Sequence, residues 1–268
     1  MDTQQSISPG DQLLARAARL GLWALPVWAA LLAVSTITEQ PHWQTHPADW
    51  SRFVTTPEFL ASHLVASILG AAIGALGMVA LGAVLARRGH PAFGLWTMVT
   101  GVVAAVLSAS ALGVAAFAQP AIGRNYLAGH TASARLLIKT AANGGWLTAT
   151  VGISALLLII SVVVAAVGVT RTPSLPRVAG IGFAASMALF ALAQVPDKGP
   201  WQAIAGALMT AFTVWIAVAG RHSAPAGVID AGDTIPAEDQ PPPIVDADRM
   251  KARRAAAELL EVVAWRYP

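Results

Sequence analysis

His63 is the one residue inside an apolar stretch of this 268-residue chain that can titrate near neutral pH or ligate a metal through its imidazole. A haem b would need a second axial ligand at the same depth, and His130, in a polar segment further along, is the only plausible mate. No cofactor is the primary expectation, with haem on His63 and His130 a distant second. A metal site is not expected, since His42, His46, His63 and His130 lack the short fixed spacings of a dedicated zinc site. Cysteine is absent, which excludes disulfides, thiolate metal sites, cysteine nucleophiles and iron–sulfur clusters. No base and nucleophile can be paired for catalysis, so no catalytic residue is named and the chain reads as a non-enzyme.

The polar side chains within or at the ends of apolar runs are His63, Gln119, Gln194 and Gln202. A polar group facing hydrocarbon lacks partners, so these four should turn inward, toward one another or toward water. Residues 119–145 add Arg124, His130, Arg135 and Lys139 with no acidic residue. Those cations either snorkel to lipid phosphates, with Leu136, Leu137 and Ile138 in the interface, or roof a cavity and attract an anionic ligand. The expected binding site is therefore a pocket in the outer half of a helix bundle, drawn from His63, Gln119, Arg124, His130, Arg135, Lys139, Gln194 and Gln202. Lipid is its default occupant. No Asp, Glu, Lys or Arg lies inside the apolar runs, which disfavours an ion-coupled carrier.

The elements that must hold these residues are membrane helices. Hydrophobic residues make up 56% of the chain and charged ones only 12%, far below the quarter or so of a soluble domain. Apolar runs cover about residues 20–38, 59–86, 93–118, 146–170, 178–195 and 201–219, lengths that match a hydrocarbon layer of roughly 30 Å. The fold class is all-α, a polytopic bundle of about six transmembrane helices. Thr55, Thr56, Pro57 and Glu58 read as the cap and first turn of the second span. Gln119-Pro120 reads as the end of the third. Gly70 and Gly74 form a G-x-x-x-G pair, explained by close packing within the chain.

Arg16 and Arg19, Arg87 and Arg88, Arg171 and Arg177, and Arg221 all fall on one side of this arrangement, which the bias of short basic loops assigns to the cytoplasm. The expectation is a multi-pass plasma-membrane protein with both termini inside. Residues 1–19 form a cytoplasmic N-terminal segment and 20–219 the transmembrane domain. Residues 220–247, rich in Pro and acidic residues, read as a disordered linker, and 248–268 as an amphipathic helix. That last helix would rest on the anionic inner leaflet or dock on a membrane-protein partner. Nothing in the chain points to nucleic acid.

Three stretches, Thr55-Thr56-Pro57-Glu58-Phe59-Leu60-Ala61-Ser62-His63, Phe117-Ala118-Gln119-Pro120-Ala121-Ile122-Gly123 and Leu175-Pro176-Arg177, carry a resemblance over about residues 50–219 to uncharacterised actinobacterial six-helix integral membrane proteins of the domain-of-unknown-function type. The resemblance implies the bundle and imports no activity. The functional expectation is a non-enzymatic accessory subunit or extracytoplasmic ligand or lipid sensor. A carrier for a small or lipidic molecule is the alternative, and a haem or quinone redox protein using His63 the second.

Overall fold

The computed structural model describes residues 9–37, 40–142, 144–193 and 200–222. Gln194, the 220–247 linker beyond His222 and the whole of 248–268 fall outside them. Every regular element among the described residues is helical: α1 Pro9–Gly21, α2 Ala24–Ser35, α3 Pro47–Val54, α4 Pro57–Arg87, α5 Pro91–Leu127, α6 Thr131–Leu137, α7 Gly145–Arg171, α8 Arg177–Leu192 and α9 Trp201–His222. Five stretches are long and apolar enough to cross a membrane: Gln12–Ser35, Pro57–Arg87, Pro91–Leu127, Thr131–Arg171 and Trp201–Arg221, and α8 is a shorter apolar helix. The protein is a membrane protein with an all-α bundle fold.

Three elements depart from the sequence expectation. The first span, expected to run unbroken over 20–38, is split at Leu22 and Trp23 between α1 and α2. Pro26 has no N–H to give the Leu22 carbonyl, which accepts instead from the Leu25 N–H at 3.2 Å, and the turn tightens there. α4 begins as expected, with the Thr56 hydroxyl accepting the Phe59 N–H at 3.2 Å and Pro57 opening the first turn. It then winds as a π-helix over Ser62–Leu69 before returning to α geometry.

The third departure is α5, which does not stop at Gln119-Pro120 but continues to Leu127 over 37 residues, about 55 Å at 1.5 Å per residue. A proline inside a helix costs about 3 kcal/mol, so packing must hold the helix together beyond it. Gly123 lies against Val54 and the Ser51 carbonyl, and Ile122 joins Trp50, Val54, Phe59, Ala134, Ile138 and Ala142 in a second buried cluster. Segments 47–54 and 131–142 are thus folded onto the end of α5.

Helix contacts close a circuit. α2 packs on α4, α4 on α5, α5 on α7, α7 on α8, α8 on α9, and α9 back on α2. Glycines set the close approaches: Gly74 faces Trp28, Gly77 faces Leu25, and Gly206 faces the backbone of Ala33. The G-x-x-x-G pair of α4 is therefore used inside the chain. The half of the bundle nearest the basic loops is filled by Leu22, Leu25, Leu81, Leu85, Val162, Val169, Phe183 and Ile216. Trp96, Trp146, Trp201 and Trp215 all stand exposed on the outside, where lipid would meet them.

Candidate functional site

The other half of the bundle is hollow. A cavity of about 280 Å³ lies inside the helix circuit, and all of its helices line it: Trp28 and Leu32 from α2, Ser67 and Met78 from α4, Gly101 and Ser108 from α5, Ser154 and Leu158 from α7, Met187 and Phe190 from α8, and Gln202 from α9. Met78, Gly101 and Leu158 form its floor above the packed core. Ser35, Thr36, Ser67 and Gln202 mark its far end, where α2 finishes and α9 starts.

Most polar groups in this wall are already satisfied. The Ser154 hydroxyl donates to the Ala104 carbonyl at 3.1 Å, and Ser108 and Ser154 are hydrogen-bonded to each other, linking α5 to α7. Ser35 donates to the Leu32 carbonyl at 2.8 Å and Thr36 to the Ala33 carbonyl at 2.9 Å. Deeper, Ser161 donates to the Thr97 carbonyl at 3.1 Å. Bonding its own helix or a neighbour is the usual role of a serine in a membrane helix.

Gln202 is different. The residue is 9% exposed, and its side chain lines the cavity and makes no hydrogen bond to a described residue. Its place follows from the helix period: Gly206, one turn on, lets α9 press against Ala33 of α2, and Gln202 shares that inward face. Ser67 also lines the cavity without a hydrogen-bond partner among the described residues. Its amide donors and acceptor are open to the cavity, where a ligand headgroup can use them.

The other expected residues are not brought to this cavity. His63 is half-buried, but its Nδ1–H donates to the Phe59 carbonyl of its own helix at 2.9 Å, and its ring lies over Phe59 with centroids 4.0 Å apart. Gln119 accepts from the Gln40 amide at 3.4 Å in an exposed pair. Arg124 near the end of α5, His130 in the turn after it, and Arg135 and Lys139 in the 131–142 segment are all exposed. The expected convergence of imidazole and amides fails because a carbonyl four residues back on the same helix satisfies a histidine as well as a neighbouring helix does. Gln194 lies outside the described residues. No group of three or more metal-ligating side chains assembles among the described residues.

Sequence reasoning missed Ser67 and Trp28, neither of which carries a signal beyond its place in a span. The π-helical turn that carries Ser67 leaves no mark in the pattern of types. No protein family, no curated protein and no solved structure matches this chain.

Proposed function

We propose that this is a non-enzymatic multi-pass protein of the plasma membrane, both termini cytoplasmic, that binds a neutral amphiphile in the cavity within its helix circuit and acts as a ligand or lipid sensor or as an accessory subunit. The amide of Gln202, without a hydrogen bond to a described residue and facing a cavity whose other lining side chains are apolar or carry only hydroxyls, carries this reading. An amide offers two donors and one acceptor, so it suits a hydroxyl, ester or amide headgroup. Among the described residues no ionisable side chain lines the cavity, and a charged head buried against them would lack compensation. Its 280 Å³ lies close to the lower end of ligand pockets, about 300 Å³, which suits one short chain or a compact ring system.

The test is binding of dodecanol and dodecanoate to the detergent-purified protein above pH 7. Dodecanol should bind, with dodecanoate weaker by about tenfold or more, and Gln202→Leu should weaken dodecanol by about tenfold, the value of one buried hydrogen bond. Equal binding of alcohol and carboxylate, or an unaltered Gln202→Leu, overturns the reading. A carrier remains the second reading, favoured by the π-helical stretch Ser62–Leu69 on the cavity wall, since such turns recur at functional sites.

A further inference from the structure

The basic end of the bundle holds an arrangement that loop charge alone does not explain. Arg88, in the turn after α4, sends its guanidinium across to two other elements: Nη1 donates to the Ser174 hydroxyl at 2.8 Å and Nη2 to the Gly220 carbonyl of α9 at 3.4 Å. Both acceptors are neutral. Burial holds Arg88 below the ordinary arginine pKa, and the positive charge of Arg19 on α1 pushes the same way. Two guanidinium groups are therefore held within each other's field, one of them half-buried.

The cluster extends through α9. Gly220 presses on the side chain of Leu22, and the next residue, Arg221, lies over the Trp23 ring with its Cζ 4.9 Å from the centroid. The indole N–H of Trp23 is buried and has no acceptor. It is placed there by the break between α1 and α2. Arg19, Arg88 and Arg221 have no carboxylate partner among the described residues, where the one salt bridge joins Arg52 to Asp49 on the outer segment.

We propose that Arg19, Arg88 and Arg221 form a binding site for a phosphate ester, with the headgroup phosphate of an anionic phospholipid or a free phosphate as the two sources of that chemistry. Guanidinium forks match phosphate oxygens in a way that compact ammonium groups do not, and all three cations here are arginines. An anion would relieve the repulsion between Arg19 and Arg88. The site stands at the end of the apolar core, at the depth where headgroups meet indoles. It is independent of the cavity, which lies in the other half of the bundle.

Native mass spectrometry of the full chain, delipidated and then offered phosphatidylglycerol or phosphatidylcholine, reads the site directly. Phosphatidylglycerol should bind about tenfold more tightly than phosphatidylcholine, in keeping with a few basic residues at a membrane surface. Arg88→Gln with Arg221→Gln should abolish that preference, and Arg52→Gln should leave it intact. Excess inorganic phosphate decides the source: competition assigns the site to soluble phosphate, and retention of the lipid assigns it to the headgroup. Equal binding of the two lipids by the unaltered chain together with no retention of inorganic phosphate overturns the proposal. A full preference surviving in the folded double variant does so too.

Discussion

At the scale of single residues, His63 and Gln202 show how one physical rule leads to two outcomes. Both are polar groups within apolar helices, and both must avoid bare hydrocarbon. His63 does so locally, through the Phe59 carbonyl and ring, whereas Gln202 stays unpaired in the cavity. That both would avoid lipid was legible in the residue types. Which of them would find a partner was not, because it depends on rotamer and on the phase of the helix after Pro57. His63→Ala should accordingly lower stability by about 1 kcal/mol, the worth of one hydrogen bond, and leave dodecanol binding unchanged. Thermal melting beside a binding titration checks both halves. Weakened binding with an unchanged melting point would place His63 in the ligand site after all.

At the scale of elements, the apolar lengths gave the helices and the prolines misled. Pro57 and Pro91 open helices as a missing N–H allows, while Pro120 sits within one, buried beside Ala116 and Gly123. Composition cannot tell these cases apart, since what keeps α5 going past Pro120 is the docking of α3 and the 131–142 segment. Glycine spacing was the better guide, because a close approach needs a small residue whatever the neighbour. Gly77 shows the requirement: a Cβ there would stand 2.8 Å from Leu25 Cδ2 and 2.9 Å from the Leu25 backbone nitrogen. The backbone atom cannot step aside. Gly77→Val should push α4 from α2 and destabilise by about 1–3 kcal/mol, the range for overpacking. A melting point equal to that of the unaltered protein would mean that the α2–α4 contact is looser than it stands.

At the scale of the whole molecule, the open question in the sequence is whether the fifth apolar run crosses. α8 has 16 residues, about 24 Å at 1.5 Å per residue, against a hydrocarbon layer of about 30 Å. Length alone argues against a full span. The contacts argue for one, because Arg88 bonds both Ser174, just before α8, and Gly220, near the end of α9. The start of α8 and the end of α9 therefore lie at the same face, and the chain between them must go out and return. His90 Nε2 donates to the Arg171 carbonyl at 3.1 Å, which ties the turn after α4 to the end of α7 at that same face. A short helix can span by thinning the bilayer or by relying on flanking residues, at fractions of a kcal/mol per Å of mismatch. We therefore expect a reporter active only in the cytoplasm to give signal when fused after Ser174 and after His222, and none when fused after Gly129, which lies in the turn between α5 and α6. Signal at Ser174 with none at His222 would mean that α8 does not cross, and the closed helix circuit around the cavity would have to be redrawn.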